Sequence, residues 1–236
     1  KIPYNSEKAV KAAGQIISFI RKESDIASVN LAKERGVFQN WEESIYNKKS
    51  KYFKGKHLEL RNATRLTLAP TGSISIIANT SVGIEPLFAL SYVRALEDGT
   101  ELLIVDKNFK EALEKRKLYN SDFMKYIAKK GTIQGMQSIP KDIRSIFVVS
   151  YDISPEYHIK IQSAFQKHVD NAVSKTVTLP TTATVDDVKN TYMLAYKMGC
   201  KGISTYRFGS RPDQVLFLRD VKEEQINLTN WLKNLR

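Results

Sequence analysis

The sequence predicts an α/β fold, a layer of parallel strands with helices between them. Residues 64–69 (Thr-Arg-Leu-Thr-Leu-Ala), 174–179 (Ser-Lys-Thr-Val-Thr-Leu) and 203–208 (Ile-Ser-Thr-Tyr-Arg-Phe) read as short strands. Between the last two lies a helix that opens at Thr184-x-x-Asp187, a reciprocal hydroxyl–carboxylate cap, and closes at Gly199. Strand, capped helix and strand in that order is the pattern of a parallel layer. The chain has 236 residues, of which 42% are hydrophobic and 26% charged, which supports a real core and excludes a disordered or collagen-like polypeptide.

The elements follow in chain order. Residues 6–35 form one long predicted helix, because Ala9, Val10, Ala13, Ile16, Ile17 and Ile20 recur at helical spacing and Ile26, Val29 and Leu31 extend the face. Asn5 or Ser6 is suited to cap its start, and Gly36 sits where a left-handed residue ends a helix. The Lys-rich residues 47–56 are expected to be an exposed connection. The strand at 64–69, with Leu66 and Leu68 on one face, is stopped by Pro70-Thr71-Gly72, and residues 73–78 enter a short helix. Residues 106–130 read as two charged helices, with Ser121 the expected cap of the second. Residues 146–150 are a short apolar run. Ser154-Pro155-Glu156 is a helix start combining a hydroxyl, a proline in the first turn and an acid facing the helix dipole. On that helix Tyr157, Ile161, Ala164, Phe165 and His168 share one face. No internal repeat or low-complexity linker interrupts the chain, so residues 1–220 are expected to be one continuous body, followed by a terminal helix over 221–236.

Charge and cysteine content narrow the function. The net charge of +12 suits a nucleic-acid surface, but the basic residues are dispersed among acids through 48–56, 107–130 and the C-terminal stretch. That dispersal is the pattern of a solvated basic surface. A single cysteine excludes a disulfide framework and a cysteine-based zinc cluster, and it fits a reducing, cytoplasmic setting. No apolar run is long enough to cross a bilayer, so no membrane association is expected. The first residues, Lys1-Ile2-Pro3-Tyr4, lack both a secretory layout and an initiator Met, so the sequence is expected to be part of something longer. His57, His158 and His168 do not form a ligand set, and no metal site is expected.

The segment richest in chemistry is Ala69-Pro70-Thr71-Gly72-Ser73-Ile74-Ser75, where a strand hands over to a helix. Unpaired N–H groups at a helix start favour an anion, Gly72 allows close approach, and the Thr71, Ser73 and Ser75 hydroxyls add donors without bulk. On these residues alone two readings stand, a phosphate cradle and a hydroxyl-capped turn that binds nothing. Neither a Walker loop nor a dinucleotide fingerprint is present. Glu85 lies near this segment as either a loop-orienting or an exposed carboxylate. Cys200 reads as a packed helix-end thiol and Tyr206 as a half-buried strand residue.

The residues themselves are familiar. Arg61-Asn62-Ala63-Thr64, Ala69-Pro70-Thr71-Gly72-Ser73-Ile74-Ser75-Ile76-Ile77-Ala78 and Gly83-Ile84-Glu85-Pro86-Leu87-Phe88-Ala89 closely resemble the adenosylcobalamin-dependent (class II) ribonucleotide reductases. The resemblance resumes at Asp152-Ile153-Ser154-Pro155-Glu156-Tyr157-His158, at Phe165-Gln166-Lys167, through Asp170-Asn171-Ala172-Val173-Ser174-Lys175-Thr176 and at Gly199-Cys200-Lys201-Gly202-Ile203. Phe208 stands where that family carries an acidic residue, which sets the loop after residue 207 apart.

The resemblance implies the ten-stranded α/β barrel of ribonucleotide reductases, with residues 1–220 as a C-terminal section of it. It implies that Pro70, Thr71, Gly72, Ser73 and Ile74, with Ser75 adjacent, bind the phosphates of a ribonucleotide substrate, and this reading now leads. It further implies an oxidoreductase that makes 2′-deoxyribonucleotides for DNA replication by thiyl-radical chemistry, with adenosylcobalamin as cofactor. The family's radical cysteine, in an N-P-C-G-E-like motif, has no match here, nor does its C-x-x-C tail. Expected partners are therefore a complementary N-terminal reductase segment bearing that cysteine and a thiol reductant, in a homo- or hetero-oligomer. The chain alone is expected to be inactive. The competing expectations are a segment of an iron-dependent reductase large subunit and a non-catalytic basic module that binds nucleotides or nucleic acid.

Overall fold

The computed structural model describes residues 1–95 and 101–210. The expected terminal helix over 221–236, and the boundary before it, lie outside those residues. Helix α1 (Glu7–Arg35) runs as its periodicity predicts, with the Ser6 hydroxyl accepting the Ala9 N–H at 3.2 Å; Gly36 follows its end at φ 75° and ψ 167°, a positive φ but not the left-handed helical cap expected. Its buried face differs from the expected one. Ala13, Ile17, Asp25, Ser28 and Ala32 are buried, whereas Ile16, Phe19, Ile20 and Ile26 remain exposed. Asp25 and Ser28 are tolerated inside because each finds a partner on the 61–65 segment, a long-range fact that helical spacing does not contain.

The segment read as a strand over 64–69 is not a full strand. It makes one isolated parallel bridge, Leu68 to Val173. Around it Asn171 N–H donates to Leu66 O (3.1 Å), Leu68 N–H to Ala172 O (3.3 Å) and Ser174 N–H to Leu68 O (2.9 Å). Pro70 lacks an N–H and ends the pairing there. Helix α2 (Gly72–Ala78) follows at once.

A hairpin that the sequence reading did not anticipate comes next, β1 (Ser91–Ala95) antiparallel to β2 (Glu101–Val105). The two charged helices are α3 (Lys107–Glu114) and α4 (Ser121–Lys130). The cap of α4 is Asn120, not Ser121: its Oδ1 accepts the Asp122 and Phe123 N–H groups. Helix α5 (Lys141–Ile146) and a 3-10 turn (Ser150–Asp152) complete this lobe. Its apolar residues, among them Phe109, Leu113, Met124, Ile127, Ile133 and Ile139, form the largest core cluster.

Helix α6 (Pro155–Gln166) starts at Pro155 with Glu156 in its first turn as expected, but without a capping bond from the Ser154 hydroxyl. It is buried on more faces than the single predicted one, since His158, Ile159, Gln162 and Ser163 are inside as well as Ile161 and Ala164. The cause is its place between α1, strand β3 (Thr176–Leu179) and helix α7 (Val185–Lys197). Helix α7 carries the predicted reciprocal cap, Thr184 with Asp187. Strand β4 (Ser204–Arg207) pairs parallel with β3, as the strand–helix–strand pattern requires. Asn171, Ala172 and Ser174 bond the 66–68 segment while Lys175 O bonds Ser204 N–H, so the run serves one edge at its start and the opposite edge from Lys175 on. This three-segment parallel layer, backed by α1, α6 and α7, places the 69–75 loop at the C-terminal end of one segment.

Candidate functional site

Thr71 precedes α2 in the left-handed region (φ 56°, ψ 23°), unusual for a β-branched residue. Its hydroxyl does not cap α2; Oγ1 accepts the N–H of Gly83 at 3.0 Å. Ser75, grouped with the loop donors in the sequence, turns inward, and its buried hydroxyl donates to Gly72 O at 2.7 Å. The available donors are therefore the first-turn amides of residues 72–74, which an α-helix leaves without internal partners, the exposed Ser73 hydroxyl, and the half-buried Thr71 hydroxyl, whose own proton the bond from Gly83 does not use. Ile74, Ile76 and Ile77 are exposed on the same short helix.

The 82–85 turn leans on this loop. Gly83 has φ 51°, and a Cβ there would lie 3.5 Å from Ala69 O and 3.9 Å from both Pro70 O and Thr71 Oγ1. Glu85, two residues on, turns its carboxylate to Lys175 and Thr176 rather than to the amides of the 70–75 loop. Its Oε1 accepts Thr176 N–H at 2.6 Å and its Oε2 meets Lys175 Nζ at 2.5 Å.

Lys175 is the residue the sequence reading missed. Its side chain is fully buried. Nζ donates to Glu85 Oε2, to His158 Nδ1 at 2.8 Å and to Thr176 O at 2.7 Å, three acceptors for the three protons of an ammonium. Burial lowers the Lys175 pKa and the Glu85 carboxylate opposes that fall; the three-acceptor geometry fits the charged form. His158 Nε2–H donates to Ser150 O at 2.8 Å, which leaves Nδ1 as the acceptor for Lys175. Burial, then the Lys175 charge, pushes the His158 pKa down to about 4, against the pull of the Ser150 bond, so the ring is neutral. Tyr4 closes the cluster from the N-terminal side, its hydroxyl donating to Ile84 O at 2.7 Å, and burial with the Glu85 charge raises its pKa. The sequence signal for this cluster is that Glu85, His158 and Lys175 each lie in a block that resembles the family, with Lys175 on a predicted strand.

A second charged cluster is a clamp between α1 and the layer. The Arg65 side chain is 3% exposed; its Nε bonds Asp25 at 2.8 Å and its guanidinium reaches Asp170 at 3.3 Å. Arg21 bonds the same two carboxylates at 2.8 Å each, and Lys56 adds a contact to Asp25 at 3.0 Å. Burial pushes Asp25 up, but the Lys56 hydrogen bond and the charges of Arg21 and Arg65 outweigh it and hold the carboxyl below its ordinary value.

Residues 1–206 match the family described as ribonucleotide reductase, barrel domain. The chain belongs to that family. Two similar curated relatives are named vitamin B12-dependent ribonucleoside-diphosphate reductases. The one from Mycobacterium tuberculosis is 41% identical over 215 residues, 91% of this chain and 30% of the relative. The one from Thermoplasma acidophilum is 40% identical over 216 residues, 92% of this chain and 27% of the relative. The chain thus spans under a third of the length of the curated relatives it matches. In fold, it resembles the class Id ribonucleotide reductase alpha subunit of Actinobacillus ureae, with a TM-score of 0.70 at 21% identity over 88% of this chain and 36% of that one.

Within this reductase barrel section, Cys200 behaves as the packed thiol the sequence predicts. It is half-buried against the Ile159, Val177 and Leu179 cluster, and burial raises its pKa. Tyr206 is half-buried on β4 opposite Thr178. Phe208, the departure from the family pattern, packs its ring 6.2 Å from that of Tyr151. Among the described residues no group of His, Cys, Asp or Glu is arranged to hold a metal, and no helix is long and apolar enough to cross a membrane.

Proposed function

We propose that this chain is the section of an adenosylcobalamin-dependent ribonucleotide reductase that holds the substrate's phosphates. One observation carries the reading: the loop at residues 70–75 opens a helix at the C-terminal end of a parallel segment, in a chain 41% identical to a protein named a vitamin B12-dependent ribonucleoside-diphosphate reductase. The amides of residues 72–74 and the Thr71 and Ser73 hydroxyls receive the phosphates; Ser75 braces the turn from inside. Fixing the charged end of the nucleotide there orients the ribose for chemistry supplied from elsewhere in the barrel.

The cofactor supplies the radical that starts ribose reduction in the assembled enzyme. Among the described residues, His158 is held between Lys175 and Ser150, and no group of His, Cys, Asp or Glu is arranged to hold a metal ion. No step is therefore assigned to it on this chain. Cys200 is packed against the Ile159, Val177 and Leu179 cluster and stands outside any N-P-C-G-E-like motif, so the radical cysteine comes from a complementary segment. Ile76 and Ile77, 81% and 85% exposed, offer apolar surface for such a segment to cover. We place the assembly in the cytoplasm with a thiol reductant.

The test is turnover. The chain alone yields no deoxyribonucleotide; assembled with the cysteine-bearing segment and adenosylcobalamin, it does. Thr71→Val and Ser73→Ala each raise the KM for a ribonucleoside diphosphate about tenfold or more, the cost of one hydrogen bond to a charged group. No turnover from folded components sinks the reductase reading, and unchanged KM values sink the phosphate assignment.

A further inference from the structure

Helix α2 is poorly equipped to hold its own position. Its start is the weak end: it has seven residues, no side-chain cap at Thr71 and a left-handed β-branched residue there (φ 56°), whereas Asn79 (φ 50°) closes its C-terminus with its N–H on Ser75 O and Ile76 O. Something outside must fix it. The segment that leans on it is the 82–85 turn, closed by Glu85 N–H donating to Val82 O at 2.9 Å. Gly83 in that turn is hydrogen-bonded to Thr71 and sits against the carbonyls of Ala69 and Pro70.

The turn is in turn held from below. Both Glu85 oxygens are engaged, one by the Thr176 amide and one by the Lys175 ammonium. The groups facing Lys175 are Glu85 from the turn, His158 from α6 and the carbonyl of Thr176 on β3, with Tyr4 bonded to Ile84 beside them. A short path therefore runs from the buried ammonium to Glu85, along two residues to Gly83, and through one hydrogen bond to Thr71. Apolar residues at 85 and 175 together would fill the same space with no charge to desolvate, so stability alone does not call for the pair. What the ammonium adds is direction, because it fixes the carboxylate's position.

We propose that Lys175, acting through Glu85, is a positioning residue that sets the 71–74 loop for the phosphates of a ribonucleoside diphosphate. This rests on the phosphate reading of that loop. Lys175 touches no substrate; its effect reaches the phosphates only through the turn. A loop displaced by loss of the pair holds the phosphates less tightly and leaves contacts to base and ribose as they were.

The test compares Lys175→Met and Glu85→Gln with the unaltered sequence in the complete catalytic assembly. The readouts are the KM for cytidine diphosphate and the inhibition constants of inorganic pyrophosphate and of unphosphorylated cytidine. Lys175→Met is expected to raise the KM and to weaken pyrophosphate about tenfold, with cytidine unchanged; Glu85→Gln does the same by a few-fold. If Lys175→Met does not fold, Glu85→Gln, which keeps the side chain's shape and one of its two acceptors, decides alone. A parallel loss of pyrophosphate and cytidine affinity, or no change in either, overturns the proposal. Thr71→Val and Ser73→Ala separate the two failures. If they leave pyrophosphate binding intact, the phosphate reading itself has failed. If they weaken it while Lys175→Met and Glu85→Gln do not, only the positioning role has.

Discussion

Acid should find His158 before it finds most of the fold. The ring is fully buried, accepts from Lys175 and donates to Ser150 O, so a second proton would place an imidazolium against an ammonium. Its pKa falls from an ordinary 6.5 to about 4 in the folded chain. Between those values the unfolded chain binds the proton and the folded chain refuses it, so stability rises with pH across the window. The contribution is fully present above about 6.5 and is lost as pH falls toward 4. A depression of this size corresponds to about 3 kcal/mol. His158→Gln removes the titration while keeping a donor for Ser150 O and an acceptor for Lys175. Urea unfolding of both proteins from pH about 7 to about 4 isolates the effect, because Asp25, Asp152 and the other carboxylates titrate in each. The unaltered chain is expected to lose about 3 kcal/mol more than the variant over that range. Parallel losses would refute a neutral, Lys175-facing His158.

Two further outcomes test the frame around the site. Arg65→Met leaves Asp25 and Asp170 without their most buried partner, and the expected loss is about 3 kcal/mol, the lower end for a broken buried pair because Arg21 and Lys56 remain; denaturant unfolding that shows less than about 1 kcal/mol would mean the clamp is not holding α1. Asn120→Ala removes the acceptor for two amides at the start of α4 and is expected to lower stability by about 1 kcal/mol, read from the thermal midpoint; an unchanged midpoint would return the cap to Ser121.

The amino-acid sequence by itself determined the elements whose causes are local. Ser6 starts α1 and Thr184 with Asp187 starts α7 through hydrogen bonds a few residues apart, and Pro155 opens α6 through its fixed φ. It also carried the family, because blocks such as residues 69–78 and 83–89 keep their residues in order along the chain. The choice of Asn120 over Ser121 shows the limit even locally, since two adjacent side chains could each cap α4 and only the chain's path selects one. Tertiary structure decided what is buried and what is paired. Nothing in the spacing of α1 says that Asp25 goes inside while Phe19 stays out; the partner that makes this possible, Arg65, is 40 residues away. Nor does the wording of residues 173–177 announce that Lys175 will meet a carboxylate 90 positions earlier and an imidazole 17 positions earlier. Caps and turns are set by backbone geometry within a few residues. The ionisation and position of a buried charge depend on how much water the whole fold excludes and on which distant groups replace it.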